Sequence, residues 1–148
     1  MIKNYNEYLN GNFWKWFGNS KVVDEQGNPI IMYHGTDVIF NEFNPSKRGS
    51  VGKGIYLTKY TKDAKIFGKN IIPLYVKMEN PFIADDKIND IEHLGSKLKR
   101  ESIYDGIIYR GIHVVFYPEQ VKSATNNNGN FDNNNPNINE KTKQKPLF

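Results

Sequence analysis

A chain of 148 residues with seven prolines spread along it is long enough for one domain with its own hydrophobic core. It has no cysteine, which excludes a disulfide framework and a thiolate metal site, and its formal charge of +4 serves solubility as readily as polyanion binding. No apolar run approaches the ~18 residues of a membrane span and the first residues lack the apolar core of a signal peptide, so a soluble, cytoplasmic protein without membrane contact is expected.

In chain order, Phe13, Trp14, Trp16 and Phe17 crowd around Lys15 and are closed by Gly18, which predicts a short helix or turn capping a core. Aromatics interleaved with lysine also suit a stacking platform for single-stranded nucleic acid. Residues 21–23 and 30–33 are β-type runs separated by the polar, Gly- and Pro-bearing stretch 24–29, and predict a hairpin. Residues 47–54 form a basic, glycine-rich loop that could wrap phosphates with backbone amides and Arg48 or Lys53. Its spacing is not that of a Walker loop, and no dinucleotide-binding glycine fingerprint follows a strand, so a Rossmann domain is disfavoured.

Residues 55–57 predict a short strand, followed by a helix capped at Thr58 or Thr61 and stopped by Gly68. Residues 71–78 are the strongest strand candidate, with Pro73 marking it as an edge. Ile88, Ile91, Leu94 and Leu98 repeat at helical spacing. Residues 107–109 and 113–117 predict a last hairpin turning at Arg110-Gly111. From Thr125 onward the chain is rich in asparagine and lysine and poor in apolar groups. The expected organisation is therefore a single domain over residues 1–124 and an extension over 125–148, lightly docked or disordered.

Two stretches carry chemistry. Tyr33-His34-Gly35-Thr36 and Gly52-Lys53-Gly54-Ile55-Tyr56 put an imidazole and a phenol beside glycines at the ends of short apolar runs. Glycine lets a backbone approach a ligand closely, and the two rings supply hydrogen-bonding groups and a flat face. The three histidines, His34, His93 and His113, show no close ligand spacing, so no metal is expected.

Together with Val114-Val115-Phe116-Tyr117-Pro118-Glu119-Gln120-Val121-Lys122-Ser123-Ala124, these stretches resemble the three blocks of ADP-ribosyltransferases of the diphtheria-toxin and poly(ADP-ribose) polymerase type. The closer likeness is to the ADP-ribosyltransferase domains of phage and mobile-element polyvalent proteins, which share the lead-in at 17–24 and the exit at 128–132. The resemblance implies an α+β split β-sandwich of two small, mostly antiparallel sheets with two or three flanking helices and NAD in the cleft between them. His34 would hydrogen-bond a ribose hydroxyl, Gly35 would clamp the nicotinamide carboxamide, and Tyr56 would stack on the nicotinamide ring. Phe67 would form a second aromatic wall, with Thr36, Gly54 and Ile55 alongside. Ile112 stands where the family carries its catalytic glutamate, and Glu119 is a nearby carboxylate further along the chain. The implied activity is NAD-dependent mono-ADP-ribosyl transfer to a protein or nucleic-acid acceptor, in a bacterial host if the chain is phage-encoded. A weak or inactive NAD-binding module and a basic nucleic-acid-binding protein are the alternatives.

Overall fold

The computed structural model describes residues 9–140. Among them three α-helices and seven strands follow one another as α1 (Gly11–Phe17), β1 (Met32–Thr36), β2 (Ile55–Leu57), α2 (Thr61–Ala64), β3 (Asn70–Val76), β4 (Pro81–Ile83), α3 (Leu94–Glu101), β5 (Gly106–Tyr109), β6 (Ile112–Val115) and β7 (Val121–Ser123). They form an α+β fold of two small sheets, one ordered β1-β3-β7 and the other β2-β6-β5-β4. All pairings are antiparallel except β4 with β5.

Period-two alternation sorts the strand side chains into layers. Met32, Leu74 and Val76 from the first sheet meet Ile55, Leu57 and Val115 from the second in the central core. Their neighbours turn outward: Tyr75 packs with Phe13, Trp16 and Phe17 of α1, and Val114 packs with Leu94 and Leu98 of α3. Asn10 starts α1 by accepting from the Phe13 amide at 2.9 Å, a cap worth about 1 kcal/mol. Phe13, Trp16 and Phe17 are thereby buried and only Trp14 is exposed, so the aromatic cluster serves as core and offers no stacking platform.

Three other expectations change. Residues 22–30 meet in an isolated Val23–Pro29 bridge around the 24–28 turn, while the following strand pairs with β3 instead of completing a hairpin. β3 is the central strand of its sheet in spite of Pro73. The Pro73 carbonyl accepts from Ala124 at 3.0 Å, so its nitrogen also faces the β7 side, at the point where β7 has ended at Ser123. The missing N–H therefore breaks no rung of the ladder.

The boundary expected after Ala124 is also corrected, because residues 125–140 are packed into the body. Phe131 joins the α1 cluster, Ile138 enters the central core, and the Ile138 carbonyl accepts from Ser123 at 3.0 Å. Composition understated this segment because its anchor is polar: Lys122 and Glu140, at 0% and 1% exposure, form an ion pair at 2.9 Å. Residues 141–148 lie outside the described residues.

Candidate active site

The site begins where the two sheets part. Tyr33 of β1 exchanges both backbone hydrogen bonds with Thr58, just past β2, at 2.7 and 2.9 Å. Continued, this antiparallel register would set Gly35 against Tyr56; instead the strands diverge, and both residues line a cleft of about 510 Å³. Antiparallel backbone groups alternate in direction. Since those of Tyr33 face Thr58, those of His34 turn to Ile72 on β3, and the N–H and C=O of Gly35 turn back toward the split. Only glycine fits there, because a Cβ would fall 1.8 Å from the Ala64 carbonyl oxygen at the end of α2.

His34 spans the split. Its Nδ1 lies 2.8 Å from the Tyr56 carbonyl oxygen, so that nitrogen carries the proton and Nε2 is left as an acceptor toward the cleft. The Phe43 ring meets the imidazole edge-to-face at 4.7 Å, and Phe40 packs on Phe43 at the same distance. Burial lowers the His34 pKa below its ordinary value, with the Tyr56 carbonyl opposing in part, so the ring is neutral at physiological pH.

Tyr56 forms the facing wall. Its hydroxyl donates to the Gly52 carbonyl at 2.5 Å and accepts from the Val51 amide at 3.1 Å, and burial raises its pKa. These bonds hold the glycine-rich loop, which a two-hydrogen-bond bridge between Ser46 and Gly54 closes at its base. The loop is thus built around the tyrosine: a Cβ on Gly49 would fall 2.2 Å from that hydroxyl. Arg48 is the cation the loop brings to the cleft.

Tyr56 pairs with Val114 of β6, two residues from Ile112, so Tyr56 and Ile112 share one face of the second sheet. Ile112 lines the cleft, as does Phe67 beyond α2, and no aspartate or glutamate is among the described residues that do so.

His34, Gly35, Thr36, Arg48, Gly54, Ile55, Tyr56, Phe67 and Ile112 are accordingly brought together. Lys53 and Glu119 are not. The Lys53 carbonyl packs against Gly95 of α3, where a Cβ would lie 2.1 Å away. Glu119 sits in the 3-10 turn Pro118–Gln120, its carbonyl accepting from the Trp16 indole at 3.0 Å. Gln120 fixes that turn by accepting from the Phe116 and Tyr117 amides and donating to the Lys77 and Asp105 carbonyls. Sequence reasoning passed over Phe40, Phe43, Asn44, Ser46, Gly49 and Ser50 as cleft residues. The available signal was Phe40 and Phe43 in an irregular stretch, large apolar groups that need burial; Phe43 enters the central core with Phe40 packed against it, and both stand beside His34.

Two sheets that part beside a pinned histidine, with a glycine edge on one side and a tyrosine on the other, define the architecture of an ADP-ribosyltransferase domain. The chain belongs to the family of ADP-ribosyltransferases in polyvalent proteins, whose model matches residues 24–131. Membership implies ADP-ribosyl transfer, with NAD as the source of the ADP-ribose. No curated protein and no solved structure matches the chain.

Proposed function

We propose that the protein is a mono-ADP-ribosyltransferase that breaks the nicotinamide–ribose bond of NAD and passes one ADP-ribose unit to an acceptor. The observation that carries this reading is the pair of backbone groups on Gly35 turned into the split opposite Tyr56. An amide N–H and C=O side by side complement the carboxamide of nicotinamide, and the Tyr56 ring offers a face to the pyridine. His34 Nε2 accepts from a ribose hydroxyl, its orientation set by the bond from Nδ1 to Tyr56. Arg48 meets the pyrophosphate, and Phe67 closes the other side of the dinucleotide.

The reaction places positive charge on the ribose as the C1′–N bond breaks. The bonding electrons leave with nicotinamide, which departs neutral, and an acceptor atom then bonds to C1′. An enzyme accelerates such a step by fixing the leaving group and the ribose in reactive geometry. With Ile112 facing the cleft, no side-chain carboxylate among the described lining residues offsets the charge. Transfer of a single unit fits that site better than chain elongation, which needs an acceptor ribose hydroxyl to be activated.

Calorimetry with NAD on wild type, His34→Ala and Tyr56→Ala tests the assignment. Loss of the Tyr56 ring costs on the order of 1 kcal/mol or more in binding. Equal affinity in the three proteins removes it.

A further inference from the structure

Tyr56 carries two groups with different partners. Its ring belongs to the cleft wall, whereas its hydroxyl donates to the Gly52 carbonyl at 2.5 Å and accepts from the Val51 amide at 3.1 Å. We propose that the hydroxyl is a positioning group: it fixes the shape of the glycine-rich loop and so holds Arg48 at the cleft, where the guanidinium meets the pyrophosphate of the dinucleotide. The proposal rests on the reading of the cleft as an NAD site.

The loop needs anchors from outside itself. Between Ser46 and Gly54, which exchange two backbone hydrogen bonds at 2.9 and 3.0 Å, the chain forms neither strand nor helix. Gly49, Gly52 and Gly54 free its backbone from the limits that a Cβ imposes. One anchor is α3: Val51 is fully buried with Leu94, Leu98 and Phe116, and its carbonyl accepts from the Gly95 amide at 2.8 Å. The Tyr56 hydroxyl is the other, and it satisfies the two backbone groups of Val51 and Gly52 that point the opposite way. Burial raises the Tyr56 pKa, so the phenol keeps the proton that it donates to Gly52.

Arg48 lies between the base of the loop and that anchored turn. Its carbonyl accepts from the Ser46 hydroxyl at 2.6 Å, and its amide donates back to the same oxygen at 3.3 Å. The side chain is exposed and makes no ion pair among the described residues. The shape of the loop, and no salt bridge, therefore directs the guanidinium to the cleft. Phenylalanine at position 56 keeps the ring but strands the Val51 N–H and the Gly52 carbonyl, both in buried residues. Such groups shift until they meet water or another partner, and Arg48 moves with them.

Two measurements on the full chain test this. Amide exchange at Val51, followed by NMR, should be roughly tenfold faster in Tyr56→Phe than in wild type, while Tyr33, whose amide bonds to Thr58 outside the loop, keeps its rate. Calorimetry should show roughly tenfold weaker NAD binding in Tyr56→Phe, and a far smaller loss for nicotinamide, which carries no phosphate. Arg48→Ala should weaken NAD binding to a similar degree, and the double variant should bind no more weakly than Arg48→Ala alone. Unchanged exchange at Val51, or acceleration shared with Tyr33, overturns the anchor. A loss of nicotinamide affinity as large as that for NAD, or additive losses in the double variant, overturns the route through Arg48. Faster exchange at Val51 alone, in a protein that binds neither ligand, supports the anchor and removes the NAD reading of the cleft instead.

Discussion

Glu140→Gln should unfold much of the margin that keeps this domain native. The Glu140 carboxylate accepts from Lys122 Nζ at 2.9 Å, from Asn127 Nδ2 at 2.7 Å, and from the backbone amides of Phe131, at 2.7 Å, and Asp132. Lys122 Nζ donates also to the carbonyls of Asp132 and Asn135, at 2.6 and 2.9 Å. Every hydrogen of the ammonium thus has an acceptor, and neither side chain meets water. Glutamine keeps the shape but removes the countercharge and turns an NH2 group against donors. Breaking a buried pair from one side costs about 3–5 kcal/mol, because the remaining ion is stranded.

For a chain of this length 1 kcal/mol moves Tm by about 4 °C, so the expected loss is roughly 12–20 °C by circular dichroism or calorimetry. The Lys122→Met/Glu140→Gln double variant should lose less than the sum of the two single changes, since it strands no charge. A Glu140→Gln shift below about 4 °C, or strict additivity, would refute the claim that the pair anchors the last segment.

Truncation after Ala124 removes Phe131 from the α1 cluster, Ile138 from the central core and every acceptor of the Lys122 ammonium together, so the shortened chain should show no cooperative thermal transition. A melting temperature close to that of the full chain would show the segment to be dispensable. Ile112→Glu should speed nicotinamide release from NAD by roughly 10²-fold, an effect abolished by His34→Ala, provided the variant folds; unchanged release from a folded, NAD-binding variant counts against Ile112 facing the ribose. His34 and His113 both have folded pKa values lowered from 6.5, chiefly by burial, so each binds its proton more weakly folded than unfolded. Their contribution to stability is present above 6.5 and is lost as pH falls from there toward the lower folded values. His113 Nδ1 is buried with no hydrogen-bond partner among the described residues, so His113→Leu should flatten part of that acid loss and hold or raise the neutral-pH midpoint in urea. An acid slope identical to that of wild type would remove His113 from the account.

Much of the fold was legible because short-range physics decides it. Arg110 and Gly111 take the positive φ values of 50° and 78° that a two-residue hairpin turn demands, and the β5–β6 hairpin forms where the sequence predicts it. The cleft was legible for the same reason: His34, Gly35 and Tyr56 occupy strand positions whose backbone direction and side-chain face follow from alternation. What escaped depends on partners distant in sequence. Pro73 disfavours a central strand only if its nitrogen faces a rung, and no local pattern says that β7 ends at Ser123. Asparagine runs argue for disorder when stability is counted in apolar area alone. Here Asn127 and Asn128 donate to the side chain and backbone of Glu140, and Asn135 offers its carbonyl to Lys122. A polar segment can therefore be held as firmly as an apolar one when each charge it buries is met from several sides. That condition also explains why Glu119 never reaches the cleft: Gln120, one residue on, satisfies four backbone groups and ties the turn to Lys77 and Asp105. The cleft is left with Arg48 and a neutral His34, and any carboxylate that acts on the ribose has to come from outside those lining residues.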